Sequence, residues 1–211
     1  MNKKPRGRPR KFREEDVLQT ATSVFLENGY DDLTVAALSN HLGLSKPSFY
    51  GSFGDKRQLY LQTVDAYATD VGTQMRAAID KATTLPEAAR FYLENAANRY
   101  APKNQQHLGC LIISTMVTVA GADTEMRDWL DQFFSRIDEW LTSNLQQRFE
   151  DEIDATGLTA AQISEMIHTT MYSLSMRARA GAARQTLFDL IDTQVDILTR
   201  LISANSNKKD P

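Results

Sequence analysis

Cysteine is nearly missing from the 211 residues: Cys110 stands alone, which excludes an intramolecular disulfide and any multi-cysteine metal site. Proline and glycine are also sparse, six and ten residues, so little interrupts long helical stretches. No apolar run approaches the roughly 20 residues that a membrane-spanning helix needs. The longest nearly uncharged apolar stretch, Leu108 to Ala122, covers 15. The basic N-terminus has no apolar segment behind it, so a secretory signal is not expected. These absences lead us to expect a cytoplasmic protein without a membrane anchor.

Catalytic signatures are missing too. The three histidines, His41, His107 and His168, are scattered and lack metal-ligand spacing, and none sits in an HExxH pattern. The chain has no P-loop, GxSxG or GxGxxG element. The carboxylates of Glu150, Asp151, Glu152 and Asp154 lack the EF-hand spacing and read as a solvated acidic loop running to Gly157. No metal and no cofactor is therefore expected. An all-α enzyme acting on small hydrophobic molecules remains the alternative from a different class, with no motif in its support.

What is present is helical pattern and charge asymmetry. Apolar residues recur at spacings of three and four, and the sequence predicts an all-α chain of about nine helices. The net charge of −3 hides a polar division. Residues 1–60 hold ten Lys/Arg against seven Asp/Glu, whereas residues 61–211 hold 14 against 20. Lys3, Lys4, Arg6, Arg8, Arg10, Lys11 and Arg13 precede any acid. A basic arm on an acidic body fits one face for a polyanion, although a solubilising tail has the same composition. The acidic body argues against a third class, a non-specific architectural DNA binder.

The predicted elements begin with an arm over residues 1–12 and a helix from Glu14 to Asn28, which Gly29 ends. Thr34 is an N-cap for a short helix carrying Val35, Leu38 and Leu42. Gly43 breaks that helix, and Ser45 caps a third one ending near Phe53. Longer helices follow: to about Ala82, from Pro86 to Tyr100, Leu108 to Val119, Thr124 to Phe149, 159–180 and 184–204. Thr159 and Gln162 have the form of a capping box.

Three short helices over residues 14–53 have the design of a helix-turn-helix. Ser39 is small where the crossing helix must approach, Gly43 can take positive φ at the turn, and Phe49 and Phe53 drop into the core at i, i+4. The opposite face carries Lys46, Ser48, Tyr50, Gly51 and Ser52, a polar surface with one cation that suits base edges and phosphates. Thr34 to Lys56, TVAALSNHLGLSKPSFYGSFGDK, resembles the DNA-binding signature of the TetR (tetracycline-repressor-like) family, as does the Gly29-Tyr30 entry to the second helix. The sequence departs from the commoner family pattern at Gly51 and Ser52.

That resemblance implies a helix-turn-helix domain over residues 13–60, a ligand-binding and dimerisation domain over 61–205, and a tail over 206–211. It further implies that Thr34 and Tyr50 hold phosphates and that Ser45 caps the recognition helix. Lys46 and Ser48 would face bases or nearby phosphates, and Lys56 another phosphate. Arg6-Gly7-Arg8-Pro9 is similar to the core of an AT-hook, with Arg6 and Arg8 set for a narrow minor groove. The implied partners are a palindromic double-stranded operator, a second copy of the chain and a small-molecule or electrophile effector.

The expected dimer seam is formed by the last two helices, whose apolar faces could equally be intramolecular core. Candidate pocket residues are Cys110, Ser114 and Val117 at i, i+4, i+7, with Trp129, Phe133, Met166, Met171 and Tyr172 on neighbouring helices. Such residues at helical spacing also serve as ordinary core. Gly109-Cys110-Leu111 resembles the opening of helix six in a TetR subgroup with cysteine sensors. Cys110 is thus either a reactive thiol, assisted by His107 or Lys103, or a buried inert one.

Overall fold

The computed structural model describes residues 13–103, 106 and 108–206. Among them every regular element is helical, and nine helices follow one another. They are α1 (Glu14–Asn28), α2 (Val35–His41), α3 (Lys46–Phe53), α4 (Lys56–Ile79) and α5 (Leu85–Tyr100). The sixth, α6, is π-helical over Ile112–Met116 and α-helical over Val117–Ala120. The last three are α7 (Thr124–Thr156), α8 (Ala160–Arg179) and α9 (Arg184–Ser206). The expected arm with Arg6 and Arg8, residue His107 and most of the tail lie outside the described residues.

Local chemistry sets most helix starts. Thr34, Ser45, Asp55, Thr84, Asp123 and Thr159 each accept a backbone N–H from the first turn of their helix. Each satisfies a donor that the helix itself leaves orphaned. At Thr159 the box is complete, with Gln162 Oε1 accepting from the Thr159 N–H at 2.9 Å.

The core is organised around α5. One side of it is mostly alanine and aromatic: Ala88, Ala89, Tyr92, Leu93, Ala96, Ala97 and Tyr100 are all buried. Small residues let α4, α8 and α9 approach this helix closely, while the tyrosines fill the wider gaps. Helix α1 is joined to α4 by an aromatic cluster, with the Tyr60 ring 4.9 Å from Phe25 and 4.8 Å from Tyr30 between centroids. The core is therefore continuous from the small N-terminal helices into the body.

Two expectations are corrected. The helix expected from Leu108 first becomes helical at Leu111 and opens with the wider π pitch, the Val117 N–H reaching Ile112 O. The cause is tertiary: the Leu108 and Gly109 N–H groups both donate to Tyr100 O, and the Ser114 hydroxyl donates back to Leu108 O. The segment after Phe149 is not an acidic loop. Helix α7 kinks at Phe149 (φ −133°, ψ 31°) and continues to Thr156. Phe149, Ile153 and Thr156 are buried, and Glu152 accepts the Leu85 N–H at the start of α5. Apolar anchoring and this long-range cap hold the acidic turn helical.

Candidate nucleic-acid interface

The interface starts from a fixed angle between α2 and α3. Leu38 and Phe49 are fully buried and Phe53 nearly so. Ser39 is buried at the crossing, its carbonyl accepting the Leu44 N–H at 2.9 Å, and Gly43 takes φ 66° at the turn. With Phe49 and Phe53 inward, Lys46, Ser48, Tyr50, Gly51 and Ser52 are exposed as the spacing predicts. Tyr50 is 54% exposed, a large ring left in solvent on a helix of eight residues. Lys46 forms no ion pair among the described residues, so its charge is free for a phosphate or base.

The remaining predicted contacts are partly engaged within the chain. Ser45 Oγ accepts the Ser48 N–H at 3.2 Å and lies 2.8 Å from Ser48 Oγ. Thr34 Oγ1 accepts the Ala37 N–H at 3.2 Å while its side chain stays exposed. Lys56 is more committed than the sequence reveals. Its ammonium donates to Tyr30 O at 3.1 Å and lies 4.2 Å above the Tyr30 ring. It pins the turn before α2 to the start of α4.

Beside Lys56 lies a clamp that sequence reasoning missed. Arg57 forks onto both oxygens of Asp123, at 2.7 and 2.8 Å, and also pairs with Glu125. The guanidinium and the Met126 N–H hold the Asp123 carboxyl well below the usual carboxylate range. One turn on, the Tyr60 hydroxyl and Thr115 Oγ1 are 2.6 Å apart, linking α4 to the π-helical turn. Arg179, at the end of α8, donates to Leu26 O in α1 and to Leu108 O. These side chains tie the helix-turn-helix to the body at three points. Their partners lie far apart in sequence, so no local spacing signals them.

Behind the same helix opens a cavity of about 310 Å³ between α4, α5, α6, α7 and α8. Of the predicted pocket residues, Cys110, Phe133 and Met171 line it, whereas Ser114, Val117, Trp129, Met166 and Tyr172 do not. The π pitch turns Val117 outward, to 47% exposure, and Ser114 is spent on Leu108 O. Trp129 stacks on Phe133 from outside the lining, its indole N–H donating to Asp65 at 2.7 Å. Tyr172 packs on Phe134 and His168, and Met166 lies half-buried on α8. The residues that the sequence reading missed, Tyr67, Val71 and Met75 on α4 and Ile137 and Trp140 on α7, share the Phe133-type spacing of three and four. That spacing was the available signal. Gly72, inside α4 on the same lining, has nothing within 4 Å of where a Cβ would stand. A mid-helix glycine costs about 1 kcal/mol against alanine and here leaves the mouth open.

Comparison with known proteins decides what this geometry belongs to. The family model described as "Bacterial regulatory proteins, tetR family" matches residues 17–63, the segment built above. The repressor BdcR of Escherichia coli K12 is 25% identical over 86% of both chains, and the repressor AcnR of Corynebacterium efficiens 28% identical over 86% of this chain and 91% of its own. A cysteine mutant of the TetR family regulator CifR, solved with a 26-bp operator duplex, superposes with a TM-score of 0.78 at 23% identity, over 90% of this chain and 98% of that one. Residues 17–63 match the TetR family, and over most of its length the chain is similar to TetR-type regulators. These likenesses support a DNA-binding transcriptional regulator of TetR type.

The floor of the cavity is built from buried polar groups. The Tyr67 hydroxyl donates to Cys110 Sγ at 3.6 Å, and the Cys110 N–H donates to Ser175 Oγ at 2.9 Å. Tyr92 and His168 Nε2 are 3.0 Å apart, and His168 Nδ1 lies 2.5 Å from Asp138. With Nδ1–H donating to the carboxylate, Nε2 is left to accept the Tyr92 hydroxyl proton. Burial pushes the His168 imidazole below its usual value, against the opposing pull of Asp138 and Glu165.

A group whose folded-state pKa is depressed contributes stability that is complete above its unfolded value, about 6.5. As pH falls below that value the unfolded chain takes the proton first and stability declines. Between pH 7.5 and 5.5 the unfolding temperature should therefore drop, and His168→Gln should show a shallower drop. Equal slopes for the two proteins in thermal unfolding would reject this. Elsewhere among the described residues no group of His, Cys, Asp and Glu is placed to hold a metal ion, and no helix is long and apolar enough to cross a membrane.

Proposed function

We propose that this regulator is a homodimeric repressor that holds a palindromic operator through two copies of α3 and releases it when a small molecule fills the cavity behind α4. One observation carries the reading: α4 walls the cavity with Tyr67, Val71, Met75 and Arg76, and at its other end seats the helix-turn-helix through Lys56, Arg57 and Tyr60. A ligand that favours a different position of α4 must also favour a different position of α3, which is the differential interaction a switch requires. Cys110 and Ile112 bring the π-helical turn into the same wall, and Thr115 of that turn holds Tyr60.

Lys46 and Tyr50 are the proposed principal contacts of α3, with Thr34, Ser45 and Ser48 shaping the surface that meets the backbone. Lys56 acts chiefly by fixing the turn at Tyr30. Arg6 and Arg8 of the arm are proposed to enter the adjacent minor groove. The dimer seam is proposed on α8 and α9, where Met176 and Ile197 remain 66% and 43% exposed in the single chain. Twofold pairing would set the two α3 helices on half-sites about 34–36 Å apart.

The test is a selection of bound random duplexes followed by titrations at several salt concentrations. A palindromic consensus is expected. Lys46→Ala should weaken binding to it and reduce the salt slope by about 1, and removal of residues 1–11 should weaken binding and flatten the slope. Enrichment of no sequence would favour a non-specific binder. An unchanged slope in the truncated protein would remove the arm from the interface.

A further inference from the structure

The cavity mouth carries two arginines without an acidic partner among the described residues. Arg57, Arg90, Arg99, Arg148 and Arg200 each pair with a carboxylate. Arg127, Arg179 and Arg184 donate to backbone carbonyls. Arg177 donates to Ser173 Oγ. Arg76 and Arg136 stand apart, both on the cavity lining and both exposed, with no hydrogen-bond acceptor among the described residues. Arg76 only lies over the Trp140 ring, 5.4 Å from its centroid. The one acid of the lining, Asp65, is occupied by the Trp129 indole N–H. In a chain of net charge −3, two uncommitted guanidinium groups at one apolar mouth form a local positive site.

The interior offers nothing comparable. The Tyr92 hydroxyl is bonded to His168 and the Tyr67 hydroxyl to Cys110, so neither donor is free for a ligand. Their rings, with Ile137, Met75 and Trp140, present apolar surface. A ligand that matches this layout is apolar at its inner end and charged at its outer end.

We propose that the cavity takes an amphipathic organic anion, a flat apolar or aromatic body inside and one carboxylate-type or sulfonate-type group held by Arg76 and Arg136. A guanidinium presents a planar fork of donors that fits such a group in bidentate fashion. The proposal rests on the cavity being the effector site, as set out above, and adds the chemical class of the effector. Anions would be drawn to the mouth by its field, and Gly72 leaves the entry clear.

Two fluorescent probes test it, 1-anilinonaphthalene-8-sulfonate and N-phenyl-1-naphthylamine, which share one skeleton and differ by the sulfonate. Titrated into the full-length protein, both should saturate, the anion at least about tenfold more tightly. In the Arg76→Gln/Arg136→Gln double variant the anion should fall to the affinity of the neutral probe, which should itself be unchanged. Gly72→Leu, which fills the mouth, should weaken both. Equal affinities in the parent protein, or a preference that survives the double variant, overturn the anion class and leave the cavity standing. Binding of either probe that Gly72→Leu does not affect places it elsewhere, and the cavity reading and the proposal fall together.

Discussion

Phe49→Ala should abolish useful operator binding while leaving most of the helical content in place. Phe49 is fully buried, with Phe53 6.3 Å and Tyr50 5.8 Å away between ring centroids. It is the anchor of an eight-residue helix, and a helix of two turns has little stability of its own. Truncating a buried phenylalanine costs about 3–5 kcal/mol, a large share of the roughly 5–15 kcal/mol that holds a typical domain. The helices that α3 packs against are α2 and α4, so the loss falls first on the helix-turn-helix, and α5, α8 and α9 keep their mutual packing. If the first 3 kcal/mol is lost locally, operator affinity falls about 100-fold. Phe49→Leu, which keeps most of the buried volume, should retain much of the affinity. Fluorescence anisotropy with the selected operator and far-ultraviolet circular dichroism read the two effects separately. Near-normal binding by Phe49→Ala would mean that α3 is not held by this side chain.

The same helix shows why the DNA-binding end was legible in sequence. Each decision there is local: Thr34 and Ser45 cap the helices that they immediately precede, Gly43 turns the chain between them, and Phe49 and Phe53 face inward by spacing alone. Nothing distant is needed to place Tyr50 and Lys46 outside. The body differs because its decisive contacts span long stretches of chain. Glu152 caps α5 from 67 residues away, and Arg57 reaches Asp123 across 66. Neither partner has a pattern that names the other. The continuation of α7 past Phe149 follows from such a contact, and the Cys110 N–H bond to Ser175 Oγ, 65 residues away, holds the segment that enters α6.

The cavity lies between these cases. Phe133 and Met171 were visible as apolar residues at helical spacing, and Cys110 as a lone thiol in an uncharged stretch. Which face of each helix turns to the cavity is a packing outcome. Tyr67, Tyr92 and Tyr100 were overlooked because a buried tyrosine is recognisable only once its hydroxyl has a partner, and those partners, Cys110 and His168, come from other segments. Burial raises the pKa of all three tyrosines above the usual value, so they stay neutral and act as fixed donors. The charge in this region is left to Arg76 and Arg136 at the mouth.

Gly109→Ala should do its damage at that floor. Gly109 holds φ +74°, a conformation that costs an alanine about 1–2 kcal/mol by itself. The new Cβ would also lie 2.7 Å from Ser175 O and 2.7 Å from Ser114 Oγ. The hydroxyl could turn away, but the carbonyl belongs to the backbone of α8 and cannot move alone. Together these effects should cost roughly 2–4 kcal/mol and lower the unfolding temperature by several degrees. Relief requires the segment 108–112 to shift from α8, which breaks the Cys110 N–H bond to Ser175 and carries Cys110 Sγ away from the Tyr67 hydroxyl. Ligand response should therefore suffer more than operator binding by the unliganded protein, because α3 and its caps lie outside the disturbed segment. Gly72→Ala is the control: the added methyl meets nothing and sits in a helix, so stability should rise by about 0.5–1 kcal/mol. Thermal unfolding of the two variants checks the opposition directly. A Gly109→Ala protein as stable as the parent would show that α8 yields to the methyl group, and the cavity floor would then be softer than its hydrogen bonds indicate.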